Sequence, residues 1–219
     1  MNALVAHELY RFFHRGDDEV AALRGVDLVL AAGEFVALKG PSGSGKSTLL
    51  ACLAGLDDPD GGTVDVLGQR MTRRPETERA RIRARHIGLL MQTGNLFDHL
   101  TLRDQMRLQC ALSNQPSTAS DAILGGLGLA TLANALPSQL SGGEAARAGL
   151  AVVMAQQAEI LLCDEPTGQV DAETERLVLG RLSELCAAGT AVLVATHSEA
   201  VSRRADRILT LFDGRIVHA

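Results

Sequence analysis

The chain has 219 residues, of which 46% are hydrophobic and 21% charged, with a formal net charge of −5. This length supports one sizeable core with at most a small satellite, and the composition excludes a disordered chain. The acidic balance argues against nucleic acid as a partner, no run reaches the ~18 apolar residues of a membrane span, and no signal peptide is evident, so a cytoplasmic protein is expected.

In chain order, LVAHELYRFF and VDLVLAAGEFVALKG alternate or run apolar and predict strands, with AAGE as a turn between two of them. PSGSGKSTLLACLAGL then switches to helical spacing, ended by Gly55 and the turn DDPDGG, and TVDVLG is a further strand. RMTRRPETERARIRARHIGLLMQ carries seven arginines before a strand, read as a solvated helix face with Glu76 and Glu78 as partial partners. Residues 93–155 are almost wholly helical in pattern. The strand ILLCD, the amphipathic helix DAETERLVLGRLSELCAAG, the strand TAVLVATH and a closing pair, RILTLFDG and RIVH, complete the chain. Strands alternating with helices predict an α/β fold with a mainly parallel sheet covered on both faces, preceded by an N-terminal β region. The expected organisation is a core split into residues 1–92 and 156–219, with a helical subdomain inserted at 93–155. The four cysteines form no C-x-x-C pair, which predicts buried, reduced thiols rather than a metal site or disulfide framework.

The stretch GPSGSGKS, Gly40 to Ser47, matches G-x-x-x-x-G-K-[ST] between a predicted strand and a predicted helix. Gly43 and Gly45 let the backbone bend so that successive amides, including those at Ser42 and Ser44, face a phosphate, aided by the helix dipole. Lys46 supplies a compact charge for the β- and γ-phosphates, a role that an arginine fork fills poorly. Apart from Lys39, which is given no role, it is the only lysine in an arginine-rich chain. Ser47 is the expected Mg²⁺ ligand, and Thr48 reaches toward the α-phosphate. These features predict the P-loop NTPase (RecA-like) version of the α/β fold.

The strand ILLCDE empties into Asp164 and Glu165, a costly ending unless a cation sits nearby. Asp164 is expected to hold Mg²⁺ through water and Glu165 to act as general base toward the attacking water. His197 ends AVLVATH, where a polar residue points into the crevice of an α/β sheet and is placed to bond the γ-phosphate. Gln92 ends HIGLLMQ with the polarity to touch Mg²⁺ or its water. The turn Ser141–Gly142–Gly143 opens a helix, and a helix start is a ready anion site. The helix behind it is nearly all small or apolar, with Arg147 its only basic residue, which leaves open whether the turn is a phosphate contact or a plain cap.

Taken in order, GPSGSGKST, Gln92, LSGGE, ILLCDEPTG, Asp171 and His197 resemble the nucleotide-binding subunit of an ABC transporter, over essentially the whole chain. The wording LAGLDDPDGGTV and NLFDHLTLRDQM is most similar to the lipoprotein-releasing and macrolide-exporter branch, with the cell-division ATPase close by. The resemblance implies ATP hydrolysis with Mg²⁺ and a permease on separate chains. It also implies a homodimer or heterodimer that sandwiches two ATP molecules at the inner face of the cell membrane. It places Phe13 on adenine where tyrosine is usual and Asp171 at the dimer seam. Ser141 and Gly143 then grip the γ-phosphate held by the other subunit, and Gln92 reports to the permease.

The chain departs from the family pattern at Ala145-Ala146-Arg147, at Val152, at Cys163 and in the seam loop Gly-Gln-Val-Asp. These changes remove no phosphate contact but weaken the expected polar support of the signature helix. They motivate a second reading, a low-turnover regulatory nucleotide-binding subunit. A repair or translation ATPase and a P-loop kinase fit less well, since coiled-coil, zinc motif and tandem duplication are missing and the signature turn is present.

Overall fold

In a computed structural model, residues 1–16, 18–168 and 170–218 are described. Gln169 of the seam loop lies outside them. The chain opens with a long hairpin, β1 (Asn2–Arg15) and β2 (Asp18–Ala31), followed after the turn at Gly33 by β3 (Phe35–Lys39). β2 begins well before the stretch whose pattern announced it.

The helix after the phosphate loop, α1 (Lys46–Leu53), leads to β4 (Gly61–Val66) and a two-residue strand, β5 (Gln69–Arg70). The arginine-rich segment forms α2 (Glu76–His86), followed by β6 (Ile87–Leu90). Glu76 and Glu78 do pair with this arginine set: Arg83 Nη2 lies 2.8 Å from Glu76 and Arg74 Nη1 3.3 Å from Glu78. Then come α3 (Leu102–Ser113), α4 (Ser120–Gly126) and α5 (Gly142–Ala155), joined by short 3-10 turns. The chain closes with β7 (Ile160–Asp164), α6 (Ala172–Ala187), β8 (Ala191–Ala195), α7 (Glu199–Ser202), β9 (Arg207–Phe212) and β10 (Arg215–His218).

Two sheets result. An antiparallel sheet has the order β2-β1-β4-β5, and the second has the order β10-β9-β3-β8-β7-β6, parallel except for β10. The central strands β7 and β8 are buried end to end and β3 all but its last residue, as expected where both faces are covered. Period-2 alternation divides their side chains between two cores. Val36, Leu38, Ile160, Leu162 and Leu193 pack with α1 and the antiparallel sheet. Phe35, Ala37, Leu161, Cys163 and Val194 pack with α3, α4, α5 and α6. Cys52, Cys110 and Cys163 are buried free thiols, and burial pushes the Cys52 thiol up to about 12. Among the described residues, no helix is long and apolar enough to cross a membrane.

Candidate active site

The adjacency of β3, β8 and β7 sets the carboxyl ends of three parallel strands side by side, and each runs into a candidate functional segment. β3 leads into the phosphate loop. Gly43 and Gly45 there hold φ of 79° and 103°, and a Cβ on Gly45 would collide with the Ala22 carbonyl oxygen. Lys46, only 8% exposed, curls back so that Nζ donates to the carbonyls of Gly40 at 2.7 Å and Pro41 at 3.1 Å. The amides of Gly43, Gly45, Lys46, Ser47 and Thr48 donate to no carbonyl among the described residues. They face a cleft of about 760 Å³ whose walls include Ser42, Gly43, Gly45, Lys46, Ser47 and Thr48. Free amides at a helix N-terminus beside a buried ammonium make an anion cradle. Gly40 and Ser44 lie behind it: Gly40 packs against the Leu211 carbonyl, and Ser44 is buried with its hydroxyl unpartnered among the described residues.

The opposite wall carries Asp164, Glu165 and His197. Glu165 takes the left-handed conformation, φ 48°, uncommon for a residue with a Cβ. Its Oε2 accepts from Thr196 Oγ1 at 3.2 Å and from the His197 amide at 3.3 Å. Its Oε1 lies 3.6 Å from His197 Nε2 and is otherwise unpartnered among the described residues. His197 Nε2 is also 3.5 Å from Lys46 Nζ, so this one nitrogen lies between the ammonium and the carboxylate. One carboxylate oxygen is held by two donors, the other has only the imidazole nearby, and the residue borders the cleft, which leaves Oε1 free to accept a proton.

Asp164 is 6% exposed and pairs with no cation among the described residues, where no group of three His, Cys, Asp or Glu side chains assembles. A buried carboxylate beside a serine hydroxyl and an anion cradle suits Mg²⁺, which keeps waters and shares its shell with substrate phosphates.

Phe13 and Gln92 border the same cleft, Phe13 with its ring 41% exposed. Gln92 does not end a strand. β6 stops at Leu90 because the Asn95 side chain takes the Met91 amide at 2.8 Å and the Met91 carbonyl at 2.6 Å, which breaks the ladder. Sequence reading missed Thr196, although it adjoins His197, and it missed Arg24, Asp213 and Gly214, which border the cleft. Arg24 Nη1 lies 3.1 Å from Asp213, an ion pair between distant segments that leaves no local pattern.

The turn Ser141–Gly142–Gly143 borders no part of this cleft in its own chain. Ser141 caps α5 through a capping box: the Glu144 amide donates to Ser141 Oγ at 3.3 Å, and Glu144 Oε2 accepts from the Ser141 amide at 2.7 Å. The Ser141 amide, and after it the Ser141 hydroxyl donating to the same oxygen at 2.8 Å, hold the Glu144 carboxyl below its ordinary range. Gly142, Ala145 and Ala146 instead line a neighbouring cavity of about 360 Å³ shared with Gln92 and Glu165. Gly143 abuts the start of α6, where a Cβ would come within 3.1 Å of Thr174 Oγ1 and 3.5 Å of Asp171 Oδ2. Asp171 caps α6, accepting from the amides of Glu173 and Thr174, each at 2.9 Å.

Comparison with known proteins matches this arrangement. The ABC transporter family profile covers residues 23–168. The chain is 39% identical over 220 residues to the uncharacterized ABC transporter ATP-binding protein YbbA of Escherichia coli K12, covering 98% of this chain and 96% of the relative. It is 37% identical over 221 residues to the lipoprotein-releasing system ATP-binding protein LolD of Zymomonas mobilis, covering 99% and 95%. It also matches the macrolide export ATP-binding/permease protein MacB of Burkholderia pseudomallei, at 39% identity over 211 residues, covering 94% of this chain and 32% of that longer protein. Among solved structures, the dimeric post-hydrolysis state of the ATP-binding cassette MJ0796, bound to ADP and Pi, superposes with a TM-score of 0.92 at 31% identity over 98% of this chain and 97% of that one. With the phosphate cradle, the acidic strand end and the signature turn set in that cassette fold, the chain belongs to the ABC transporter family as an ATP-hydrolysing subunit.

Proposed function

We propose that this subunit powers a membrane permease on separate chains, in export or envelope-related transport, through ATP-driven closure of a dimer. One observation carries the reading: the Ser141–Gly143 turn has a helix N-terminus to offer but lies apart from the cleft of its own chain. A second subunit facing the first supplies that turn to the open side of the cleft, where Ser141, Gly142 and Gly143 meet the γ-phosphate and Asp171 lies at the seam. Ser42, Gly43, Gly45, Ser47 and Thr48 hold the triphosphate, Lys46 neutralises its β- and γ-phosphates, and Phe13 stacks on adenine, with Gly40 and Ser44 shaping the loop from behind. Glu165 accepts the proton of the water that attacks the γ-phosphorus, the bond to ADP breaks, and His197 holds the departing phosphate. Ser47, Asp164 and Gln92, the last directly or through water, would hold Mg²⁺. When bound, the ion neutralises charge on the phosphate oxygens.

An apolar groove of about 330 Å³ beside Gln92 suits the permease. Phe97 and Leu112, 64% and 60% exposed, stand on its rim, and Gly94 and Asn95 connect it to the Gln92 loop. Docking there sets the subunit at the cytoplasmic face of the membrane and links the permease to the reacting centre.

The test is the solution mass of Glu165→Gln with and without ATP, alone and combined with Ser141→Arg. Glu165→Gln is expected to dimerise on ATP, and Ser141→Arg to abolish the dimer while ATP still binds. An ATP-dependent dimer indifferent to Ser141→Arg would remove the trans role of the turn. Turnover measured with and without the permease separates the transport ATPase from the low-turnover regulatory subunit.

A further inference from the structure

Arg11 and Phe13 fall on one face of β1, two residues apart. The Arg11 guanidinium carbon lies 4.7 Å from the centroid of the Phe13 ring. Arg11 is not free to leave: Nε donates to Asp57 at 2.8 Å and Nη1 to Asp60 at 3.0 Å. Asp60 also accepts from the Phe12 amide at 2.7 Å, and the Asp60 amide donates to the Tyr10 carbonyl at 2.9 Å. Asp57 and Asp60 belong to the turn that follows α1, the helix whose N-terminus forms the phosphate cradle. The cation therefore covers one face of the half-exposed ring, while the ring itself borders the nucleotide cleft.

We propose that Arg11 is a positioning residue for the base of the nucleotide, acting through Phe13. The inference rests on the reading of Phe13 as the platform for adenine. A phenyl ring lacks the hydroxyl by which a tyrosine is anchored, so on a half-exposed strand its orientation has to be set by packing. The guanidinium, pinned by two carboxylates, orients the ring before the base arrives, so less freedom is lost on binding. It also draws on the π-cloud from behind, which favours stacking of an electron-rich purine on the open face. The turn Asp57–Asp60 links this support to α1, so the groups that receive the base and the phosphates share one rigid unit.

The experiment is calorimetric titration of ATP and of inorganic tripolyphosphate, which has no base, into wild type, Phe13→Ala, Arg11→Met, Arg11→Lys and the Phe13→Ala/Arg11→Met double variant. Arg11→Met is expected to weaken ATP about 3- to 10-fold with tripolyphosphate unchanged, and Arg11→Lys to recover most of that loss. In the Phe13→Ala background Arg11→Met is expected to cost nothing further for ATP, because the ring it acts through is gone. Equal weakening of both ligands, or additive losses in the double variant, would show that Arg11 only maintains the fold. If Phe13→Ala binds ATP as wild type does, the platform reading fails, and the role of Arg11 fails with it. If Phe13→Ala weakens ATP while Arg11→Met does not, only the Arg11 inference falls.

Discussion

Arg147 Nη1 donates to Thr174 Oγ1 at 3.0 Å, and the same hydroxyl donates to Asp171 Oδ2 at 2.9 Å. This three-residue chain joins the signature helix α5 to the N-cap of α6, directly beneath Gly143. The small residues Ala145 and Ala146 had suggested a helix short of polar support. The support comes from its one arginine, and it runs to Asp171, the residue that we propose lies at the dimer seam.

Thr174 is 3% exposed, so Thr174→Val takes the partner from Arg147 Nη1 and from Asp171 Oδ2, while Asp171 Oδ1 keeps its two capping amides. A loss of about 2 kcal/mol is expected in urea unfolding. In the Glu165→Gln background the ATP-dependent dimer should weaken while ATP binding by the monomer is unchanged. Equal loss of both would mean that the chain supports the fold and not the seam.

Thr196 is fully buried and holds Glu165 Oε2 at 3.2 Å. Thr196→Val removes a hydrogen bond to a charged acceptor and lets the carboxylate leave its posture. Because the residue touches the proposed general base rather than ATP, kcat should fall about tenfold with KM little changed. Steady-state ATPase assays check this, and a rise in KM alone would place Thr196 in binding.

Gln156 closes the end of α5 with an unusual set of bonds. Its Nε2 lies 2.9 Å from the Arg83 carbonyl, 3.0 Å from Ala84 and 2.8 Å from Ile87, and its Oε1 accepts from Gln109 at 2.9 Å. One buried amide thus caps α2, starts β6 and meets α3. Gln156→Leu takes this donor from all three carbonyls, of which Arg83 keeps the Ile87 amide, and is expected to cost about 2 kcal/mol in chemical denaturation.

The Asp171 carboxyl is held below its ordinary range, chiefly by the Thr174 amide, then by the Thr174 hydroxyl. A depressed carboxyl contributes stability that is complete above its unfolded pKa, about 3.9, and is lost as pH falls through the lower folded value. Asp171→Asn keeps a capping side chain but not the charge. The variant should be less stable than wild type at pH 7, and the gap should close between pH ~4 and pH ~2. Urea titrations at several pH values test this, and a gap constant with pH would assign the effect to geometry alone.

Much of the site was legible because its parts are local. The phosphate loop is one stretch of chain whose glycines and lysine declare the bend and the charge. The capping residues Ser141 and Asp171 act within three positions of themselves. Asp164 and Glu165 stand out because carboxylates end an otherwise apolar strand. The brief strand β5 and the early part of β2 were not legible, since both are secured by pairing with distant strands. The bracing of Arg11 by Asp57 and Asp60, the pairing of Arg24 with Asp213 and the capping of α2 by Gln156 likewise join residues far apart in the chain.

By itself the sequence determined the nucleotide chemistry, since the amides and the ammonium sit together in one stretch of chain and the two carboxylates adjoin in another. Only the tertiary structure decided that they face one cleft. The sheet order β3-β8-β7 sets Lys46, His197 and Glu165 beside each other although they lie far apart along the chain. It also decided that the signature turn stays away from that cleft, because α5 packs on the far face of the sheet with α3 and α6. Period-2 alternation names two faces for each buried strand, but which helices cover each face depends on contacts between distant segments that no local pattern records.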